Sequence, residues 1–390
     1  MKFSLKYIFL IFSTLTLLTA CEGTAGNPEP PLPDGVSRTV LVYMAANNNP
    51  SLPHSLNYDN MVTAVDGGAL DSGGRLIVFR KISSNSAPQL IELTKNGQKI
   101  LKEYPVGTNT VDPETMKEVI ADTRTIAPAA EYGLLLWSHA SGWRSPARSW
   151  GQDVGFTGTE REMSIPDLAY ALGNHQFRFI YMDCCFMGNI ETLYELRDAA
   201  DYIIASSTET PYAGMDYESN IPAFFEEEID FKGLAANTYN AISNITRKGD
   251  ECGISISLYE MKYIGAVSDV VKAIYASGTT RNIDISSIQQ YGFSSWTNYF
   301  FDLRHYMTAL TDNALLIGNL DSALAQFIPL YLHTDVLWKN QRPGNYPLID
   351  VCGVSAFIPG SSSLETRYHY HDLQWYQHVV APYIIADKAA

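Results

Sequence analysis

Short apolar runs alternate with amphipathic segments along most of the first half of the chain. A short apolar run bounded by glycine and polar residues is typical of a strand buried in a parallel sheet, whereas apolar residues three or four apart predict a helix. Strands and helices that alternate in this way predict an α/β fold, with a mostly parallel central sheet and helices on both faces. The predicted strands are 38–45, 74–80, 133–139, 177–185 and 202–206, and the predicted helices are 55–65, 113–126, 164–172 and 189–199.

The rest of the chain is less regular. Residues 142–162 form a polar connection that is longer than most, which makes it a candidate functional loop. No shift in composition divides residues 38–390, so we predict one domain with an elaborated C-terminal part. The other predicted elements are an edge hairpin at 88–93 and 98–104, helices at 221–230, 233–246, 261–277 and 373–385, and strands at 253–259 and 351–359.

Two of the predicted buried strands end on reactive side chains. The run at 133–139 ends on His139, and the run at 177–185 ends on the adjacent thiols Cys184 and Cys185. Ligands of open α/β sheets collect at the carboxyl ends of the strands. A cysteine and a histidine delivered to that edge can act as a nucleophile and its proton-transfer partner. The pattern therefore predicts a cysteine hydrolase, and in particular a peptidase.

Composition agrees with a folded protein that does not bind nucleic acid. The chain has 390 residues, of which 46% are hydrophobic and 18% charged, and these fractions are typical of globular proteins. Its formal net charge of −15 argues against nucleic-acid backbones as partners. The excess of acid is compatible with cationic partners, but the stronger alternative is that it only keeps an exported protein soluble.

The N-terminus has the features of an export signal. Lys2 and Lys6 precede an apolar run at 7–18, which is too short for a comfortable permanent membrane span. The following Leu-Thr-Ala-Cys, ending at Cys21, resembles a bacterial lipobox, in which the cysteine is lipidated. We therefore predict a signal peptide at 1–20, a flexible tether at 21–37 and a location in the bacterial cell envelope, anchored to a membrane. An ordinary secretory signal with a chance cysteine is the alternative.

The other cysteines do not indicate a disulfide scaffold or a metal site. Four thiols remain in the mature chain, and two of them are neighbours: Cys184, Cys185, Cys252 and Cys352. Adjacent cysteines rarely pair, and the spacing matches no zinc motif. We therefore predict no metal and no cofactor.

Three segments together resemble the clostripain family of cysteine peptidases, which belongs to the caspase-like clan. They are 42–48 (VYMAANN), 136–143 (LWSHASGW) and 183–191 (DCCFMGNIE), with weaker echoes elsewhere in the mature chain. The resemblance implies a caspase-like fold for residues 38–390 and a cysteine endopeptidase that cleaves protein or peptide substrates after Arg or Lys.

By that resemblance, His139 and Cys185 form the catalytic dyad. The family's Asp-x-Cys box places the nucleophile two residues after the aspartate, which selects Cys185. Alternate strand residues face opposite sides, so the two thiols should diverge, and Cys184 remains the alternative nucleophile. The resemblance also places oxyanion-binding backbone N–H groups at Ala140 and Cys185. Ala140 stands where the family usually has glycine, and a positive φ there would strain an alanine.

Specificity by the same resemblance depends on acidic residues near the thiol. Asp183 matches an acid of the S1 pocket, and a carboxylate can bind a substrate guanidinium bidentately. The alternative is that Asp183 merely caps the next helix. Asp216 is the first candidate for a second pocket acid, and Glu209 is the second candidate.

Relatives can also cut themselves after a basic residue between the His and Cys boxes. Three arginines lie there, and Arg148 is the preferred site; the alternative is that all three only keep the loop soluble. They are Arg144, Arg148 and Arg161. Some relatives use calcium. No EF-hand type of loop is visible in this sequence, which leaves the use of calcium by this chain undecided.

Two other functions compete with a peptidase. One is a catalytically inactive, caspase-like binding or scaffolding lipoprotein, which the departures at Ala140, Asn47 and Met215 keep open. Met215 stands where the family usually has tryptophan. Asn47 stands where the family often has aspartate, which predicts a weakened polar contact near the site. The other is a glycan-binding surface lipoprotein, for which scattered tryptophan and tyrosine residues are the only support.

Overall fold

The structure is a computed structural model. It describes residues 36–47, 54–144, 149–155, 160–245, 252–277, 283–292, 299–339, 344–360 and 362–384. The strands are β1 Arg38–Met44, β2 Arg75–Arg80, β3 Gln89–Thr94, β4 Gly97–Glu103, β5 Glu131–Trp137, β6 Trp150–Val154, β7 Glu160–Met163, β8 Phe177–Asp183, β9 Ala200–Ala205, β10 Ser255–Glu260, β11 Phe301–Asp302, β12 Leu330–His333, β13 Val336–Leu337, β14 Tyr346–Pro347 and β15 Ser355–Ala356. The α-helices are α1 His54–Asp66, α2 Pro113–Ile126, α3 Ile165–Leu172, α4 Ile190–Glu195, α5 Tyr217–Ala223, α6 Phe231–Ser243, α7 Ile264–Ala276, α8 Leu303–Leu310, α9 Ala314–Phe327, α10 Ser362–Arg367 and α11 Ala381–Ile384.

Nine strands form the central sheet, in the order β12-β10-β9-β8-β5-β1-β2-β3-β4. Its five middle strands, from β9 to β2, are parallel. Antiparallel strands close both sides, with β3 and β4 at one edge and β10 and β12 at the other. The predicted α/β fold with a mainly parallel sheet is therefore confirmed, together with the edge hairpin.

The middle strands are apolar because both of their faces are covered. All seven residues of β1 are buried. Leu41 and Tyr43 point into one hydrophobic core, and Val40 and Val42 point into the other, on the opposite face of the sheet. Successive side chains of a strand alternate between faces, so a continuous apolar run is required where helices cover both.

Three local differences from the prediction have physical reasons. The polar connection at 142–162 contains an antiparallel hairpin of β6 and β7, which its polar residues did not indicate. The helix expected at 221–230 is α5, and it begins earlier because the Asp216 side chain caps it. The strand expected at 351–359 shrinks to β15, whose partners are the two-residue β11 and a single parallel bridge from Ser355 to Asn189.

Helices α8 and α9, in the C-terminal part, were not predicted.

A helix able to span a membrane would need a long apolar stretch, and none of the helices among the described residues has one.

Candidate active site

The register of β5 and β8 brings His139 and Cys185 to the same edge of the sheet. The last pair of these parallel strands is Trp137 with Asp183. His139 lies two residues beyond the first member of that pair, and Cys185 lies two residues beyond the second. Both line one small pocket of about 40 Å³. Its lining residues are Trp137, Ser138, His139, Asp183, Cys184, Cys185, Thr210, Pro211, Tyr212 and Gly214.

The segment that carries His139 is held by strand β6. The Gly151 N–H donates to the His139 carbonyl oxygen over 2.9 Å, and the Ser141 N–H donates to the Ser149 carbonyl oxygen over 3.0 Å. Ala140 forms an antiparallel bridge with Trp150 between these two bonds. Its φ is not positive, so the strain expected from alanine at this position does not arise.

The environment of Cys185 keeps its thiol protonated in the resting enzyme. The side chain is half-buried, and the Thr210 N–H donates to Sγ over 3.3 Å. Burial, together with the negative charge of Glu209, raises the pKa of the Cys185 thiol to about 12, against the opposing effect of the Thr210 N–H. Thiolate formation therefore needs a proton acceptor close by.

Cys184 has a different environment from its neighbour. Only 2% of its surface is exposed, and its Sγ–H donates to the Leu136 carbonyl oxygen over 3.1 Å. Burial raises the pKa of the Cys184 thiol well above its usual range. The two thiols thus differ in exposure and in their hydrogen-bond partners.

Asp183 is a buried carboxyl group that points towards the loop after β9. The Tyr217 hydroxyl donates to its Oδ2 over 2.6 Å. Burial raises the pKa of Asp183 to about 6, and hydrogen bonds from Tyr217 and the Met215 backbone oppose that rise. Gly214 has φ +71°, and a Cβ there would lie 2.5 Å from Oδ2, so this close approach needs glycine.

Asp183 does not cap the helix that follows the cysteines. Helix α4 begins after Asn189, whose Oδ1 accepts the Thr192 N–H over 2.8 Å. The alternative prediction, that Asp183 merely caps this helix, is therefore wrong.

The two candidates for a second pocket acid lie in different surroundings. Burial raises the pKa of Glu209 to about 7, and its charge acts on the Cys185 thiol. The Asp216 carboxylate accepts the Ser219 N–H over 3.3 Å at the start of α5. Neither acid is among the residues that line the pocket. Glu209, however, directly precedes Thr210, which is a lining residue.

The basic residues between the His and Cys boxes are not equivalent. Arg144 is only 4% exposed, and its guanidinium lies over the rings of Tyr299, at 4.8 Å, and Tyr368, at 5.1 Å. Arg161 is exposed on β7. Arg148 and the predicted lipidation site Cys21 lie outside the described residues.

The sequence analysis did not assign three residues of this site: Thr210, Gly214 and Tyr217. Their signal was their position, because they follow β9, the strand next to β8 in the sheet. Loops after adjacent parallel strands meet at one edge, so the segment after β9 belongs to the same site as the segments after β5 and β8.

Residues that could hold a metal ion do not cluster in the described part of the chain. No group of three or more His, Cys, Asp or Glu side chains converges there.

A family comparison agrees with this geometry. The clostripain family model of C11 peptidases matches residues 42–326, which is well over half of the chain and includes His139 and Cys185. The chain belongs to the clostripain family. Among curated protein sequences, none matches it significantly.

Solved structures of C11 proteases share the fold of this clostripain-family chain. A secreted C11 cysteine protease from Bacteroides thetaiotaomicron, in complex with an irreversible peptide inhibitor, is 30% identical, with a TM-score of 0.75 over 87% of this chain and 98% of its own. An inactive zymogen C11 protease from Parabacteroides distasonis is 25% identical, with a TM-score of 0.73 over 89% and 99%. Iotapain, another secreted C11 protease from Bacteroides thetaiotaomicron, is 21% identical with a TM-score of 0.76 over 88% and 99%, which supports the fold alone. The protein is thus a C11 cysteine protease with a caspase-like fold, and its substrates are proteins or peptides.

Proposed function

We propose that this clostripain-family protease is an endopeptidase with a dyad of Cys185 and His139. The observation that carries the proposal is the placement of both residues two positions beyond a paired strand end, on one pocket. In the first step, Sγ of Cys185 attacks the scissile carbonyl carbon, and its proton passes to the His139 imidazole. The imidazolium then protonates the leaving amine, and water hydrolyses the acyl-enzyme and regenerates the thiol.

The high pKa of the Cys185 thiol gives His139 its task. With a pKa of about 12, the resting thiol holds its proton at neutral pH. The proton must therefore leave as the S–C bond forms, and a nearby imidazole is suited to accept it. The negative tetrahedral oxygen would be bound by the backbone N–H groups of Ala140 and Cys185.

Specificity for Arg or Lys rests on Asp183 in this proposal. Its carboxyl group is buried at the pocket, so an ion pair with a substrate guanidinium would form in a low dielectric. Glu209 and Asp216 remain the candidates for a second acid.

A pocket of about 40 Å³ holds little more than a water molecule or two and not an arginine side chain. We therefore propose that the segment with Tyr212, a pocket-lining residue that is 53% exposed, moves outward when substrate binds.

The decisive experiment compares fluorogenic peptides that end in Arg, Lys, Leu or Asp. We expect wild type to cleave the Arg and Lys peptides, and Cys185→Ala and His139→Ala to lose this activity. If wild type hydrolyses none of these peptides, even after nicking by trypsin, the proposed peptidase mechanism is wrong and the inactive scaffold is supported. Cleavage of the Leu peptide at the same rate would remove the basic specificity and leave the dyad intact.

Anchoring to the cell envelope through Cys21 is a second part of the proposal. The support is the sequence signal and the secreted C11 proteases of similar structure. Labelling of cells with a radioactive fatty acid should mark the wild-type protein and not Cys21→Ser. Unlabelled wild type would leave an ordinary secreted protein.

A further inference from the structure

A buried ion pair lies at the same edge of the sheet as the catalytic residues, outside the proposed dyad. The Asp153 carboxylate is fully buried, and the Lys81 ammonium is 2% exposed. Lys81 Nζ donates to both carboxylate oxygens of Asp153 over 3.1 Å, and also to the Thr108 carbonyl oxygen over 2.8 Å.

Two further residues donate to the same carboxylate. Asn47 Nδ2 lies 2.5 Å from Oδ1, and the Thr110 backbone N–H and Oγ1 lie 2.7 and 3.0 Å from Oδ2. Every partner of Asp153 is thus a donor. We call these four side chains, Lys81, Asp153, Asn47 and Thr110, the Asp153 node.

The Asp153 node joins strand β6 to the carboxyl edge of the central sheet. Asn47 follows β1 and Lys81 follows β2, while Thr110 precedes α2. The backbone carbonyl oxygen of Asn47 also accepts the Val154 N–H over 2.8 Å, and its side-chain Nδ2 donates to the Val154 carbonyl oxygen over 2.6 Å. The Asn47 side chain thus makes two hydrogen bonds to β6, one to Asp153 and one to Val154. The weaker polar contact that the sequence predicted for asparagine in place of aspartate stays a prediction.

Strand β6 continues from the node directly to the catalytic histidine. Gly151, two residues before Asp153, donates to the His139 carbonyl oxygen, and the Gln152 N–H donates to Ser138 Oγ over 3.2 Å. The Gly151 backbone has φ +76° and lies against Val111, so a Cβ would come within 2.5 Å of that side chain. The strand is therefore held tightly on both of its sides.

We propose that Asp153 is a positioning residue for His139, which acts through β6 on the backbone that carries the imidazole. This inference rests on the proposed role of His139 in proton transfer. A buried ion pair is a poor source of stability, because its desolvation cost offsets most of its attraction. A set of directed hydrogen bonds does fix geometry, and a catalytic group displaced by about 1 Å loses about a hundredfold in rate.

Asp153→Asn is the sharpest variant, because asparagine keeps the shape and turns one acceptor into a donor. An amide N–H would then face groups that all donate, and Lys81 would lose its counter-charge. Thr110→Val is milder, since it removes one hydroxyl donor and leaves the backbone N–H. Asp201→Asn is the matched control, because Asp201 pairs with Arg178 on the surface, at the start of β9.

The test has two readouts on the full mature protein. The first is kcat and KM on an Arg-ending peptide, per Cys185 titrated with an irreversible peptide inhibitor. We expect about a tenfold loss of kcat in Asp153→Asn and about a threefold loss in Thr110→Val, with KM within about twofold. The second is the NMR signal of the His139 imidazole, assigned with His139→Ala, which should shift in both variants and not in Asp201→Asn.

A wild-type His139 signal and a wild-type kcat in folded Thr110→Val and Asp153→Asn would overturn the inference. Should Asp153→Asn not fold, Thr110→Val decides alone. Should wild type hydrolyse no peptide, the proposed function fails, and the His139 signal still shows whether the node positions this residue.

Discussion

Cys184 and Cys185 carry the same thiol, and their surroundings make them different. Cys184 is buried, and its thiol donates to a carbonyl oxygen of β5. Cys185 is half-buried, and its sulfur accepts a hydrogen bond from the Thr210 N–H. The alternation of strand residues predicted this divergence. The burial and the partners of each thiol came only from the fold.

Paired substitutions of these thiols separate chemistry from packing. We expect Cys185→Ala to abolish turnover. We expect Cys184→Ala to keep kcat within about threefold and to lower the free energy of unfolding by about 1–2 kcal/mol, because it leaves a small cavity. Peptide hydrolysis and thermal unfolding of both variants measure this. The reverse pattern would make Cys184 the nucleophile.

Protonation of Asp183 should appear in substrate selectivity. Its folded-state pKa of about 6 means that the carboxyl group loses its negative charge as the pH falls through 6. We expect the ratio of kcat/KM for an Arg-ending peptide to that for a norleucine-ending peptide to fall below pH 6. The ratio cancels any effect of pH on steps that both peptides share. In Asp183→Asn the ratio should be low and should show no change near pH 6; a wild-type pH profile in that variant would exclude Asp183 from specificity.

At the scale of elements, helix α4 supports the turn that follows Cys185. Its cap, Asn189, is fully buried, accepts the Thr192 N–H and donates to the Phe186 carbonyl oxygen next to Cys185. Phe186 has a positive φ of 57°, so the turn after the thiol needs support from its surroundings.

Two matched cap variants test that support. Asn189→Ala and Asn313→Ala each remove an asparagine cap, the second at the start of the distant α9. We expect each to lower the free energy of unfolding by about 1 kcal/mol, as lost caps usually do. Only Asn189→Ala should also lower kcat on an Arg-ending peptide, by about three- to tenfold. An equal kcat in both variants would show that the cap has no role beyond stability.

At the scale of the whole molecule, buried acids make stability depend on pH. Burial raises the pKa of Glu191 to about 8, against the opposing N–H of Phe357, and raises those of Glu209 and Asp183 to about 7 and about 6. The folded state therefore holds protons that the unfolded chain has released once the pH exceeds about 4.5.

Stability should consequently fall as the pH rises from about 5 to 8, by up to about 1.4 kcal/mol per pH unit for each such group. Glu191→Gln keeps an oxygen for the Phe357 N–H and cannot ionise, so its melting temperature should decline less over this range. Thermal unfolding at pH 5, 6, 7 and 8 compares the two proteins. Parallel curves would contradict the assignment of Glu191 as a buried neutral acid.

Nicking of the chain should leave one particle. The β5 and β8 strands lie on opposite sides of Arg148 in the sequence and pair in the sheet, so a cut there leaves both halves bound together. We expect trypsin to cut wild type after Arg148 and not after the buried Arg144, and gel filtration to show an unchanged elution volume. Arg148→Ala is the control that should resist this cut. Mass spectrometry of the fragments identifies the bond, and a cut after Arg144 would contradict its burial.

Local pattern was enough for most elements and for the residues that carry chemistry. The helix at 113–126 was predicted from its periodicity, and the structure has the same bounds. The polar hairpin of β6 and β7 was not predictable, because its pairing with the His139 segment depends on residues that no local periodicity marks. The same holds for Thr210, Tyr217 and the Asp153 node.

The sequence alone therefore determined the α/β class, the two reactive strand ends and the family, because apolar periodicity and short motifs are properties of adjacent residues. Only the tertiary structure decided which side chains surround them. Hydrogen bonds such as Lys81 to Asp153, or Tyr217 to Asp183, join residues that are far apart in the chain. Those contacts, and the burial that shifts the pKa values of Asp183 and Cys185, arise only when the strands pack side by side.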